Sequence, residues 1–161
     1  MMEQTTLVIR NYIYKCAQSV PETQHDIALK NNMVHLLFYL VSMLYKKPAD
    51  QFMNGEIDVV SCTCCLIYLL ENFQKDLPEP IFAHTFEFFK ANISKFKSKL
   101  MKVVNSQLLG LLCWVAPVQI LNIAFNNKIL PIVIRELTSY TSKYEYDHER
   151  CRVILGINAI L

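Results

Sequence analysis

Val103 to Asn127 reads VVNSQLLGLLCWVAPVQILNIAFNN, 25 residues without a single charge. Whether this run is one helix or two decides the fold. A bilayer span needs about 20 apolar residues, so length alone permits a transmembrane reading. The content opposes it. Asn105, Ser106, Gln107, Gln119 and Asn122 are polar, and Pro117 sits near the middle. Proline breaks the helical hydrogen-bond ladder, and the residue before it avoids the α region. The run is therefore expected to form two helices hinged at Ala116-Pro117, without membrane insertion. A membrane-associated helical protein is the weaker alternative.

Outward from this hinge the apolar spacing stays helical in both directions. Toward the N-terminus, the fifth helix is expected to start at Ser94 as N-cap, with Phe96, Leu100, Val103, Leu108, Leu111 and Val115 on its buried side. A fourth helix starts in Pro78-Glu79-Pro80, where proline suits a first turn. Its stripe is Ile81, Phe82, Phe86, Phe89 and Ile93. A third runs from about Glu56 to Gln74 on Ile57, Val60, Cys64, Ile67 and Leu70, apolar almost all round and so central. A second runs from Thr23 to Lys46 through Ile27, Val34, Leu37, Phe38, Val41 and Leu44. A first covers Thr5 to Ser19 on Leu7, Tyr12, Ile13 and Cys16, and stops before Pro21. Toward the C-terminus, a sixth helix begins at Pro117 and a seventh covers Ile129 to Ser142. The eighth is expected to be capped by Asp147 and to carry Glu149 in its first turn. Its pattern is still running at Leu161, which leads us to expect a fragment of a longer chain.

Composition agrees with this reading. The 161 residues are 53% apolar and 19% charged, with net charge +2, which suits one helical domain and excludes a disordered tail. The only glycines are Gly55, Gly110 and Gly156. Phosphate loops and nucleophile elbows need more glycine than that, in fixed patterns. The mild charge does not point to a specific nucleic-acid partner. Six cysteines fall within apolar helical runs rather than a short loop-rich frame, and no signal sequence opens the chain, so the thiols are expected to be reduced.

Few residues suggest chemistry. Cys62, Cys64 and Cys65 resemble a soft-metal cluster, but positions two apart on a helix point to opposite sides, and buried packing is the simpler account. His148 and Cys151 could supply only two ligands, fewer than a structural zinc site needs. His25, His35, His84 and His148 are dispersed, so no enzyme, metal or cofactor is expected. Lys90, Lys95, Lys97, Lys99 and Lys102 form a basic run; Lys95, Lys99 and Lys102, spaced i, i+4 and i+7, are expected to share a face and are the candidate partner-binding residues. Glu145, Asp147 and Glu149 are an acidic counterpart.

Eight helices with short connectors permit a compact bundle or an α-solenoid of antiparallel helix pairs. Helices beginning near Ile81 and Pro117 lie within reach of a two-helix repeat of roughly 40 residues. At this point a family resemblance enters. Ile81-Phe82-Ala83-His84-Thr85-Phe86-Glu87-Phe88-Phe89 resembles the first helix of a HEAT repeat. Ser98-Lys99-Leu100 through Gln107-Leu108-Leu109 to Trp114-Val115-Ala116-Pro117 resembles the second, and Ile120-Leu121-Asn122 the start of the next unit. Asp147-His148-Glu149-Arg150-Cys151 with Leu155-Gly156-Ile157-Asn158-Ala159-Ile160 resembles a segment near the C-terminal end of importin-β (karyopherin-β) family receptors, in the branch of importin-seven and importin-eight. Leu7-Val8-Ile9-Arg10-Asn11-Tyr12 is similar to an upstream helix of that region.

The resemblance implies a single HEAT-like fragment over residues 1–161, part of a nuclear transport receptor that shuttles between cytoplasm and nucleus. It implies protein cargo, Ran GTPase and FG nucleoporins as partners of the full receptor. The family's main Ran contact lies in N-terminal repeats that have no counterpart here, so no Ran-binding residue carries over. The alternative is a compact bundle that takes an amphipathic partner helix into an apolar groove.

Overall fold

The computed structural model describes residues 2–20, 23–45, 56–74, 77–95, 98–139 and 146–161. Among these, every regular element is a helix: α1 (Met2–Gln18), α2 (Gln24–Tyr45), α3 (Glu56–Phe73), α4 (Glu79–Lys95), α5 (Lys99–Val115), α6 (Pro117–Asn126), α7 (Leu130–Ser139) and α8 (Asp147–Ile160). The protein is all-α. The polar connections expected at 47–55 and 141–145 lie outside the described residues. The chain divides into two compact units, 1–74 and 75–161.

In the first unit α3 packs against both α1 and α2. The expectation of a central α3 holds: Val59, Cys62, Cys65, Leu66, Ile67, Leu69, Leu70 and Phe73 are all buried. The stripe expected on α1 is right at Ile13 and wrong at its first two members. Leu7 and Tyr12 are exposed, and the buried line is Thr6, Ile9 and Ile13. Thr6 hides that line from an apolar count. Its carbonyl accepts from Cys65 Sγ at 3.6 Å. Four residues on, Arg10 Nη2 donates to the Tyr68 hydroxyl at 2.6 Å, and its guanidinium lies 4.1 Å from the centroid of that ring. Pairing of 6 with 65 and of 10 with 68 means that α1 and α3 run parallel. Thr23 caps α2 reciprocally with Asp26: Asp26 N–H donates to Thr23 Oγ1 at 3.2 Å, and Thr23 N–H donates to Asp26 Oδ2 at 3.0 Å. Ile27 and Ile57, expected in the core, are exposed.

In the second unit α5 carries the core. Met101 and every residue from Val103 to Cys113 are buried, because α4, α6, α7 and α8 all pack against it. The expected hinge is present. Ala116 (φ −136°, ψ 59°) leaves the helical region, Pro117 opens α6, and the two axes bend by 115°. Among the described residues no single helix is long and apolar enough to cross a membrane. The polar residues of the quoted run have definite places. Ser106 Oγ donates back to Val103 O at 2.9 Å. Gln107 Nε2 donates to Glu149 Oε1 at 3.2 Å and its Oε1 accepts from Arg152 Nη1 at 2.7 Å.

Those two contacts, and the crossing of Gly110 with Val153 and Gly156 one turn further on, show that α5 and α8 run parallel with their backbones in close approach. The start of α5 corrects the sequence reading. Ser94 lies within α4, and the N-cap is Ser98, whose Oγ accepts from Met101 N–H at 3.1 Å. Leu100, expected in the core, is 54% exposed because the helix begins four residues later than expected. Ser98→Ala should cost about 1 kcal/mol, because it leaves the Met101 N–H without its partner; urea unfolding measures it.

α6 closes with a Schellman motif. Ile129 N–H donates to Ala124 O and Lys128 N–H to Phe125 O, both at 2.9 Å. Lys128 holds the left-handed position with φ 58°. Glycine adopts that conformation without a steric penalty, so Lys128→Gly should raise stability by about 0.5–1 kcal/mol, net of its greater chain entropy. A rise in the thermal midpoint is the expected result, and a fall would show that the lysine side chain holds the turn.

Candidate partner-binding surface

The late start of α5 takes apart the lysine face. Lys95 is the last residue of α4, whereas Lys99 and Lys102 stand in the first turn of α5, so the three do not share one helix face. Lys99 is exposed and Lys102 half-buried. Lys90 is bound to Glu87 at 2.8 Å on α4. Lys90 and Lys95 thus belong to α4 and Lys99 and Lys102 to the start of α5, and Lys97 lies outside the described residues.

The acidic counterpart is divided too. Asp147 is not the N-cap of α8; Tyr146 is. Asp147 is exposed, 3.9 Å from Arg150. Glu149 takes the capping role, accepting from Tyr146 N–H at 3.4 Å while holding Gln107. Its charge is committed to the α5–α8 seam. Glu145 lies outside the described residues.

None of the six cysteines is joined in a disulfide. Burial pushes the Cys62 and Cys65 thiols up to about 12. Nearby charges, among them Asp58, add to the rise at Cys62. Such thiols pack rather than react. Among the described residues no three histidine, cysteine or acidic side chains gather as a metal site. His148 stacks on Tyr146 with ring centroids 5.6 Å apart, and Cys151 is exposed one turn later. His84 Nδ1 lies 2.7 Å from Pro80 O within its own helix.

Sequence reasoning missed an outward apolar surface. On α6, Val118 and Phe125 are each 71% exposed; seven residues apart, they fall on one side of the helix. On α2, Leu29, Leu36 and Tyr39 form a similar exposed row. Their signal was available as a second apolar periodicity, out of phase with the core stripe. Of these, the aromatic members Phe125 and Tyr39 are of the type enriched at protein interfaces, whereas valine and leucine are seldom the dominant anchors. No known protein family, curated protein or solved structure matches the chain.

Proposed function

We propose that the chain is a non-catalytic interaction scaffold built from stacked helical repeats, contributing to cargo binding in nucleocytoplasmic transport as the importin-β resemblance suggests. The observation that carries the scaffold reading is the parallel packing of non-consecutive helices within each unit. α5 meets α8 through pairs 45 and 46 positions apart, Gln107 with Arg152 and Gly110 with Gly156. That offset falls within the roughly 40–47 residues of HEAT and armadillo repeats. α1 meets α3 in the same parallel sense, but 58 and 59 positions apart, so the first unit does not share that offset. Equivalent helices of successive repeats would lie side by side as α5 and α8 do, each repeat burying its neighbour's stripe. The transport role itself rests on the resemblance alone. On this reading Lys95, Lys99 and Lys102 would meet an acidic partner, and cargo, Ran GTPase and FG nucleoporins would be partners of the whole receptor.

The second reading, a compact bundle for an amphipathic partner helix, draws on the way four helices surround α5. Solution scattering together with FG-repeat binding tests both. A compact bundle of this length has a radius of gyration near about 15 Å. We expect a clearly larger value and saturable binding of an FG-repeat polypeptide by the full chain. A radius of about 15 Å would remove the solenoid, and no FG-repeat binding would remove this stretch from pore contact. Lys95→Glu with Lys99→Glu should weaken an acidic partner at least tenfold.

A further inference from the structure

Within the second unit the later helices already lie on the earlier ones. α8 runs along α5 through residues 45 and 46 positions apart, Gln107 with Arg152 and Gly110 with Gly156. α6 meets α4 at a similar step: Gln119 Nε2 donates to Glu79 Oε1 at 3.1 Å, 40 positions apart, in the first turns of the two helices. Each later helix turns one side to its neighbour and leaves the other side open. On α8 the side against α5 carries Glu149, Arg152, Val153 and Gly156. At about 100° per residue, Cys151, Ile154 and Leu155 fall on the opposite side, and all three are exposed. On α6, Ile120 and Ala124 are buried, while Val118 and Phe125 stand exposed across the helix. The outer face of a helical stack needs polar residues to stay unpartnered in water, and this one is apolar. We propose that the open sides of α6 and α8 form one surface that pairs with the same surface of a second copy of this chain, closing a two-fold dimer. The inference rests on the repeat reading and extends it to what meets this face of the stack.

Charge and symmetry select the copy. α6 contains no charged residue, the nearest in sequence being Lys128 just past its end. On the open side of α8 the charges stand in its first turn, where Arg150 and Asp147 lie 3.9 Å apart. Two copies meeting through one shared face oppose like charges, and an uncharged face is spared that repulsion. A head-to-tail stack is closed off. It would need the surface of α5 that receives a later helix to be free on the copy, and Met101 and every residue from Val103 to Cys113 are buried. The remaining match is the face with itself, the isologous contact of a closed dimer. Phe125 is its aromatic anchor. Two helix faces bury less than a standard interface, so the dimer dissociates with a constant on the order of 10 μM or weaker, and dilute unfolding measurements read the monomer.

The test is sedimentation equilibrium of the full chain from about 2 to about 200 μM, a range over which mass action converts such a monomer to dimer. The mass should rise to twice that of the chain and stop there. Phe125→Glu and Ile154→Glu should each raise the dissociation constant at least tenfold, whereas Tyr39→Glu, on the exposed row of α2, should leave it unchanged. Circular dichroism checks that each variant folds, and if one of the two interface variants does not, the other decides. A chain that stays monomeric at the highest concentration, growth beyond the dimer, or undiminished pairing of a folded Phe125→Glu or Ile154→Glu protein would each overturn the proposal. Scattering on the dilute chain keeps this apart from the repeat reading. An elongated monomer that never pairs overturns the dimer alone, whereas a radius of gyration near about 15 Å removes the repeat and the dimer face with it.

Discussion

Gly156→Ala should lower the stability of the chain by about 2–3 kcal/mol, although alanine is the better helix former by about 1 kcal/mol. A Cβ placed on Gly156 would stand 2.6 Å from Gly110 Cα and 2.8 Å from its carbonyl carbon. A Cβ on Gly110 would stand 2.6 Å from Arg152 O and 2.8 Å from Val153 Cα. These obstacles are backbone atoms, so no side chain can turn aside, and one helix has to move bodily. Moving α8 off α5 also disturbs Val153, which is fully buried, and the Glu149–Gln107–Arg152 chain beside the crossing.

The two glycines make a single contact. Gly110→Ala should therefore cost about as much as Gly156→Ala, and the double variant clearly less than the two together. Asn158→Ala, at an exposed site on the same helix, controls for propensity and should be close to neutral or slightly stabilising. Urea unfolding of the four variants reads all of this. A Gly156→Ala protein as stable as the parent would mean that α5 and α8 do not approach at this crossing, and the offset supporting a repeat would lose its physical basis.

How far the sequence could be read is clear from particular residues. Pro117 made the central break legible, because proline acts locally whatever surrounds it. Thr23 with Asp26 is a capping pair of the same local kind. The start of α5 was harder. Ser94 and Ser98 are both serines ahead of an apolar run, and only the packing of Met101 selects the second. Of the buried line of α1 only Ile13 was found, because Thr6 is polar and satisfied within the core, whereas Leu7 and Tyr12 are apolar and exposed. An apolar count cannot distinguish a core stripe from a recognition stripe, and for that reason Val118 and Phe125 also escaped notice. The lysine candidates failed as a single face for a more specific reason. A face belongs to one helix, and an error of four residues in a cap moves Lys95 onto another.

Raising the pH from about 9 toward 12 should unfold the chain, and the buried thiols should supply much of the slope. Cys62, Cys65 and Cys113 are fully buried, and burial, the largest cause at each, pushes their pKa from the ordinary 9.0 to about 12. The native state keeps these thiols protonated across that interval. The unfolded chain releases their protons from about 9 upward, so it binds fewer protons than the native state and stability falls as pH rises. The contribution is complete below pH 9 and is lost as the pH passes through about 12. Each thiol can add at most about 1.4 kcal/mol per pH unit, or about 4 kcal/mol per unit for the three. Two or three such units come to about 8–12 kcal/mol, comparable with the whole stability of an ordinary domain, roughly 5–15 kcal/mol. Lysines and tyrosines also titrate there, so the thiol share is isolated by variants. Cys113→Ala will be somewhat less stable at pH 7 for the lost sulfur, but its loss of stability between pH 9 and 11 should be shallower by up to the share of one thiol. The readout is that slope, taken from urea unfolding at successive pH values. An unchanged slope would mean that water reaches Cys113, and that α5 is not the enclosed helix on which the packing of the second unit depends.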